Sequence, residues 1–462
     1  MRKEESIMEQ FSSLPIEKLL RAEGYDCDCG KHHTVRLKKV IIGQGALFQV
    51  GSVLRELGVT HPMIVADQNT YRVAGRQVYD LLTGAGVKCE LFVFPQAHVE
   101  PSEFSVGQVI MKFVPGVDCM LAVGSGTIND ICKMVSKATG TRQVVVGTAP
   151  SMDGYASNSS SMISGGVKVT IYSVCPDAII ADVDVLRQAP LKMLQAGLGD
   201  MLAKYISVCE WRISHIVTGE YYCEEVAALM RRCVHRIVEA APQLTQRSPQ
   251  AVMQVVEGLI ISGIAMSYAE VSRPASGLEH YFSHIWEMHS LMGRCPGELH
   301  GIQVGVGTVL TLRLFNWLRN EKPDRERALK HAAEFDMAAW EREMRDVFGP
   351  TADAVIEIER NVGKHDPVKH AERLERIINN WDEILRIIDE ELPEYNKIVN
   401  LMKMLQEPTM PRTLGLSDGE VITALKCSQE IRDKYILSRL LWDLGILDEY
   451  ADKLRDSLAI SD

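Results

Sequence analysis

Between residues 37 and 148, five short runs of β-branched and aliphatic residues alternate with stretches of helical spacing, and this alternation limits the fold more than any other feature. The runs are LKKVII (37–42), HPMIVAD (61–67), KCELFVF (88–94), DCMLAV (118–123) and QVVVGT (143–148). After the first, Gly43-Gln44-Gly45 makes a turn, and Leu47, Val50, Leu54 and Leu57 recur three and four apart on one helical face. A second helix is expected over 71–82, closed by Gly84 and Gly86. Strands separated by helices pair in parallel, with helices on both faces of the sheet. GVKVTIYSV (166–174) and DAIIADVDVL (177–186) read as a short extended stretch after that sheet.

Beyond Pro190 the β-branched runs give way to helical segments, and past residue 320 these become strongly charged. The expected organisation is a polar leader (1–36), an α/β dinucleotide-binding domain with a parallel sheet (37–186), and an all-helical metal and substrate domain (187–322). A helical C-terminal extension (323–462) is expected to pack on that helical domain. At roughly 100–200 residues per domain, 462 residues suit two or three such bodies.

The net charge of −11, from 50 Lys and Arg against 61 Asp and Glu, argues against a nucleic-acid partner, which needs a basic stripe. No apolar core follows the opening residues MRKEESIMEQFSSLP, so no secretory signal is expected, and no membrane span is expected either. Eleven scattered cysteines fit reduced thiols in the cytoplasm. Cys27, Cys29, His32 and His33 in CDCGKHH offer a zinc-binding donor set, but C-x-C is tighter than the usual zinc spacing. An ordinary N-terminal segment is the simpler reading there.

Two loops follow strands where open α/β sheets place ligands. DCMLAV runs into Gly124-Ser125-Gly126-Thr127, with a helix expected from about Ile128 and Thr127 as its N-cap. Glycines let the backbone approach a ligand, and the helix N-terminus presents amides to a pyrophosphate. G-x-G alone fits a plain tight turn equally well. Asp67, after the second strand, suits either a ribose hydroxyl pair or a helix cap. After the fifth strand, 148–161 (TAPSMDGYASNSSS) collects hydroxyls and one carboxylate. Further on, GLGDMLAK places Asp200 in a helix, SGLEHYFSH places His280 and His284 one turn apart, and GELHGIQVGVG supplies His300. One acid and two or three histidines can converge on a divalent ion, although histidines on helices are commonly structural.

Taken together and in this order, the segments GSGTINDICK, TAPSMDGYAS, ADVDVL, GLGDMLAK, SGLEHYFSH and LHGIQVGVG resemble the iron-containing alcohol dehydrogenase and dehydroquinate synthase-like superfamily. Within it the chain is similar to the sn-glycerol-1-phosphate dehydrogenases of the longer bacterial type. The resemblance implies Asp200, His280 and His300 as ligands of one divalent metal, zinc or nickel before iron. It implies Asp153, Asp200 and His284 at the substrate, with Asp200 and His284 catalytic. It also implies Gly124, Ser125, Gly126, Thr127, Asn129 and Asp130 around the cofactor pyrophosphate, with Thr148, Ser151 and Ser157 along the cofactor site. NAD is expected before NADP, because Asp67 would repel a 2′-phosphate.

The implied reaction is reduction of dihydroxyacetone phosphate, a small phosphorylated three-carbon substrate, to sn-glycerol 1-phosphate. Lys168 and Lys204 are candidate phosphate partners, although Lys204 also suits a solvent-facing position. A homodimer is expected. The alternatives are a glycerol or polyol dehydrogenase of the same superfamily, a dehydroquinate synthase-like lyase, and a non-catalytic nucleotide or metal sensor.

Overall fold

The computed structural model describes residues 10–459. Its backbone groups into two units, one from Met1–Met201 and Cys223–Pro274, the other from Leu202–Tyr222 and Ala275–Asp462. These do not follow the sequence segments 37–186, 187–322 and 323–462: the helices Glu224–Ala240 and Pro249–Ala269 lie with the sheet.

Among the described residues the first unit holds ten strands: β1 (Tyr25–Asp26), β2 (His32–His33), β3 (Lys39–Gly43), β4 (Pro62–Ala66), β5 (Glu90–Val93), β6 (Cys119–Gly124), β7 (Arg142–Gly147), β8 (Ser159–Ser164), β9 (Val167–Tyr172) and β10 (Ala178–Asp182). Six form one sheet in the order β3-β10-β7-β6-β4-β5, every pair parallel. Strands β4, β6 and β10 are buried along their whole length, as a sheet covered on both faces requires. On one face Ile64, Leu121, Val144 and Ile180 pack with Val50, Leu54, Val78 and Leu82 of the helices Val50–Glu56 and Arg76–Gly84.

The stretch 177–186 differs from its sequence reading. Its first part, β10, is an inner strand between β3 and β7. An antiparallel hairpin, β8 with β9, stands where the alternation called for a helix, and so hid the sixth strand. The buried carboxylate of Asp182 closes this strand. It accepts the amides of Leu47 at 2.8 Å and Asp184 at 2.9 Å, so the ADVDVL acid caps two chain segments.

The described part of the leader is folded, with Phe11, Leu19, Tyr25 and His33 buried. Ser12 N–H donates to Glu225 at 3.0 Å, and Arg232 donates to the Leu14 carbonyl at 2.8 Å. By length and composition alone the helix Pro249–Ala269 could cross a membrane, although Glu257 interrupts its apolar run. It is largely buried and runs beside Glu224–Ala240, where Ile237 packs over Gly258, so it serves as a core helix of this unit.

The second unit is helical. Glu210 accepts the amides of Leu278 at 3.0 Å and Leu437 at 2.9 Å, tying three segments of the chain together. Farther along, the His365 ring stacks on Phe335, with centroids 4.1 Å apart, and lies 3.2 Å from Glu359 and 3.3 Å from Glu430. Burial alone would depress the His365 pKa, but the two carboxylates outweigh it and raise the pKa above the ordinary imidazole value. Burial likewise disfavours charge on Glu430, yet His365 and Lys364 bring its pKa down to about 2.

The raised His365 value contributes stability below the unfolded pKa of about 6.5, which is lost as pH rises through the folded pKa. His365→Gln is expected to cost about 3 kcal/mol in mildly acidic buffer, because it removes the cation that the buried Glu359 and Glu430 share. The gap between variant and parent melting temperatures should shrink as pH rises above about 6.5. A gap independent of pH in thermal melts would show that the imidazolium is not what holds this cluster.

Candidate active site

At the carboxyl edge of the sheet the parallel register sets three segments side by side. Strand β4 pairs with β6, and Gly124 of β6 pairs with Gly147 of β7. Asp67, the Gly124-Ser125-Gly126-Thr127 loop and Thr148 therefore follow neighbouring strand ends, and the Thr148 amide donates to the Gly124 carbonyl at 3.1 Å. The helix begins at Gly126 and its N-cap is Ser125, which makes no side-chain cap bond. Thr127 thus lies in the first turn and is not the cap. Asp67 does cap its own short helix. Its Oδ1 accepts the amides of Asn69 at 2.7 Å and Thr70 at 2.9 Å.

Three of the expected cofactor residues lie deeper. Asn129 is fully buried; its amide donates to the Gly154 carbonyl at 3.3 Å and accepts from Gln143 at 2.9 Å. Asp130 accepts the Ser161 amide at 3.0 Å. Both Asp130 and Ser157 meet Lys133, a residue the sequence reading passed over. Buried Lys133 donates to the Gly154 carbonyl at 2.6 Å, and to Ser157 Oγ and the Ser159 carbonyl at 3.0 Å each, with Asp130 at 3.6 Å. Burial pulls the Lys133 pKa down and pushes that of Asp130 up. The helix of one loop is thereby stitched to the other loop.

That second loop is also fixed from the helical side of its unit. Asp200 is buried in the helix Leu191–Leu202, and its Oδ2 accepts the Asp153 amide at 2.9 Å. Ser262 donates to Asp153 Oδ2 at 2.8 Å. Gly197 makes the approach possible, because a Cβ there would sit 1.9 Å from the Pro150 carbonyl oxygen. Ser151, in the same loop, is half-buried. Lys168 lies in β9 within electrostatic reach of Asp130.

In the second unit, the helices Leu278–Leu291 and His300–Leu318 bring His280, His284 and His300 together. Ring centroids are 5.3 Å apart for His280 and His300, and 5.6 Å for the stacked His284 and His300. Gly307 sets the helix separation: a Cβ there would lie 2.5 Å from the Glu279 carbonyl oxygen. Each ring is oriented through Nδ1. His280 meets Glu279 Oε1 at 2.8 Å, and His300 meets Ser283 Oγ at 3.1 Å and Glu287 Oε1 at 3.2 Å. His284 meets Glu287 Oε2 at 3.4 Å.

A carboxylate at Nδ1 holds the proton there and leaves the Nε2 lone pair to a metal. Glu279 is fully buried and its Oε2 has no hydrogen-bond partner among the described residues, so its charge lacks full compensation until a cation binds beyond the imidazole. These donors therefore fit a divalent ion. Lys204 is buried, not solvent-facing, and donates to the Ala275 carbonyl at 3.0 Å. Glu279 and Glu287 were missed in the sequence, where a single acid beside a histidine carries no periodic signal.

The iron-containing alcohol dehydrogenase family profile matches residues 41–190. The chain is 36% identical over 294 residues to the glycerol-1-phosphate dehydrogenase [NAD(P)+] of Halalkalibacterium halodurans, covering 63% of this chain and 74% of that one. It is 31% identical over 370 residues to the protein of that name from Bacillus subtilis, covering 77% and 92%. Among solved structures, the glycerol dehydrogenase of Schizosaccharomyces pombe superposes with a TM-score of 0.61 at 16% identity over 92% of each chain. That likeness establishes the dehydroquinate synthase-like fold.

Three substitutions probe the site's supports. Lys133→Met should cost about 3 kcal/mol in chemical unfolding, since Asp130 loses its buried counter-charge. Adding Asp130→Asn should return part of that loss; strictly additive losses would rule out the coupling. Glu279→Gln should weaken divalent-metal affinity about 10- to 100-fold with the fold intact. An unchanged metal titration would deny Glu279 its orienting role.

Proposed function

The chain belongs to the glycerol-1-phosphate dehydrogenases of the iron-containing alcohol dehydrogenase superfamily, and from that premise we propose that it interconverts dihydroxyacetone phosphate and sn-glycerol 1-phosphate by NAD(P)-dependent hydride transfer. The observation that best supports the reading is the orientation of His280 and His300 through Nδ1, by buried Glu279 and half-buried Glu287, which leaves Nε2 of each ring for a metal. In this proposal Asp200, His280 and His300 hold one divalent ion. Two imidazoles and one carboxylate suit zinc or nickel, with iron as the less favoured choice. When bound, the ion supplies positive charge at the substrate's oxygens and the reduced nicotinamide supplies the hydride.

The remaining work falls to the chain. The amides at Gly126 and Thr127, at the start of an α-helix whose N-cap Ser125 makes no side-chain bond, receive the pyrophosphate, with Gly124 and Ser125 beside them. Asp67 takes the ribose hydroxyls through Oδ2, since Oδ1 is already committed to the cap. Its charge favours NAD over NADP. Thr148 and Ser151 line the cofactor. Asn129, Asp130 and Ser157 act from behind, keeping the loops in register. Asp153 orients a substrate hydroxyl, and Asp200 contributes beside the ion. As hydride reaches the carbonyl carbon, the carbonyl oxygen takes a proton, which His284 relays. Lys168 is the remaining candidate for the substrate phosphate. We place the enzyme in the cytoplasm as a homodimer, with no nucleic-acid partner.

NADH oxidation tests the reading. Turnover is expected with dihydroxyacetone phosphate, little with dihydroxyacetone, and loss of activity with a chelator. His280→Ala should lower turnover by more than about 100-fold, beyond the usual effect of a residue standing behind a ligand. Turnover with dihydroxyacetone but not its phosphate would move the chain to the polyol dehydrogenases. Chelator-resistant turnover would remove the metal from the mechanism.

A further inference from the structure

The CDCGKHH segment plays no part in the hydride transfer, yet the fold gives it a donor set that the sequence did not show. β1 and β2 form an antiparallel hairpin, and the turn between them is closed by the Gly30 amide on the Cys27 carbonyl at 2.9 Å. Strand alternation sends the two histidines to opposite sides. His32 faces outward, half exposed, and meets Asp26 at 2.8 Å. His33 faces inward and is fully buried. Of the four donors expected in this segment, His32 therefore drops out. Its place is taken by a residue almost two hundred positions away: Cys223, the N-cap of the helix Glu224–Ala240.

Cys27, Cys29, His33 and Cys223 each offer a donor atom, and all four atoms lie within 4.8 Å of one another. Cys27 Sγ and Cys223 Sγ are 3.6 Å apart. His33 Nε2 lies 3.3 Å from Cys29 Sγ and 3.5 Å from Cys223 Sγ. Tetrahedral zinc, with Zn–S about 2.3 Å and Zn–N about 2.0 Å, has ligand–ligand edges of about 3.6–3.8 Å. These edges thus nearly match without any ion to impose them. None of the three cysteines forms a disulfide. The His33 ring is held through Nδ1 by the Tyr268 carbonyl at 2.8 Å, which directs Nε2 at the sulfurs. Burial pushes the Cys27 and Cys223 thiols up, so their protons leave as the metal binds.

We propose that Cys27, Cys29, His33 and Cys223 form a closed structural zinc site. Three thiolates and one imidazole fill a tetrahedron and leave no position for substrate, which separates this site in kind from the Asp200, His280 and His300 set. Soft sulfur donors select zinc over magnesium or manganese. The site fastens the β1–β2 hairpin to the start of the helix Glu224–Ala240. Through the Tyr268 carbonyl it also fastens the hairpin to the end of Pro249–Ala269.

The test uses the full chain, purified without chelator and supplied with zinc. Titration with an organomercurial thiol reagent, read by a zinc indicator dye, should release about one zinc per chain from the three thiolates. His280→Ala and His32→Ala should keep this thiol-released zinc, whereas Cys29→Ser and Cys223→Ser should lose it. Cobalt-loaded protein should show thiolate-to-cobalt charge-transfer absorption that survives His280→Ala. That result would stand even if the dehydrogenase reading failed. The wild-type measurement needs no variant to fold. No zinc release from wild-type protein, or a Cys27–Cys223 disulfide in freshly purified chain, would overturn the proposal.

Discussion

The Lys133 ammonium is the interaction around which the sheet-end loops are arranged. It sits on the inner side of the helix Gly126–Thr139 and spends its donors on Gly154, Ser157 and Ser159. Those three residues span the turn after Asp153 and the entry to β8. A lysine without its water shell is costly, so the loop backbone must stay where its carbonyls meet the charge. The same geometry keeps the start of the Gly126 helix beside Thr148 and sets Asp153 against Asp200 and Ser262. A stretch rich in serine and glycine would otherwise be mobile. Here one buried charge gives it a single conformation, which a site for hydride transfer requires.

Much of the sheet was legible because its strands advertise themselves. A strand buried on both faces is a short apolar run, and five such runs with helical spacing between them leave few topologies. The sixth, β10, is as apolar as the others, but it follows a hairpin instead of a helix, so the pattern that identified its neighbours excluded it. The described leader failed for a related reason. Its buried residues, Phe11, Leu19, Tyr25 and His33, are spaced by contacts to distant helices, not by any local period. Pro249–Ala269 shows the opposite limit. Its composition alone does not distinguish a core helix from a membrane span; the surrounding packing does.

At the candidate site, the residues with strong chemistry of their own were readable and their supports were not. A helix pair of histidines, a lone acid in a helix and a glycine loop stand out by type and spacing. Glu279, Glu287, Ser283 and Lys133 do not, because each matters only through the neighbour it touches in three dimensions. Asn129 and Asp130 had the right motif but lie behind the loop surface, since a helix one turn past its start already points these side chains inward. Motif membership locates the segment; burial decides whether a side chain faces the ligand or holds the segment that does.

The histidines of this chain show how the same ring is given different tasks by what stands at Nδ1. At His280 the Glu279 carboxylate meets Nδ1, which favours the proton there and leaves Nε2 as the donor atom. At His33 a backbone carbonyl does the same, and burial lowers the ring's pKa, so it remains a neutral donor among thiols. At His365 carboxylates flank both nitrogens and raise the ring's pKa, which favours an ion pair inside the cluster. The three clusters therefore differ in which ring nitrogens are engaged. Partners at Nδ1 alone leave Nε2 open, whereas acids at both nitrogens engage the whole ring. The tertiary fold, not the motif, thus decides which histidines are available to bind a metal.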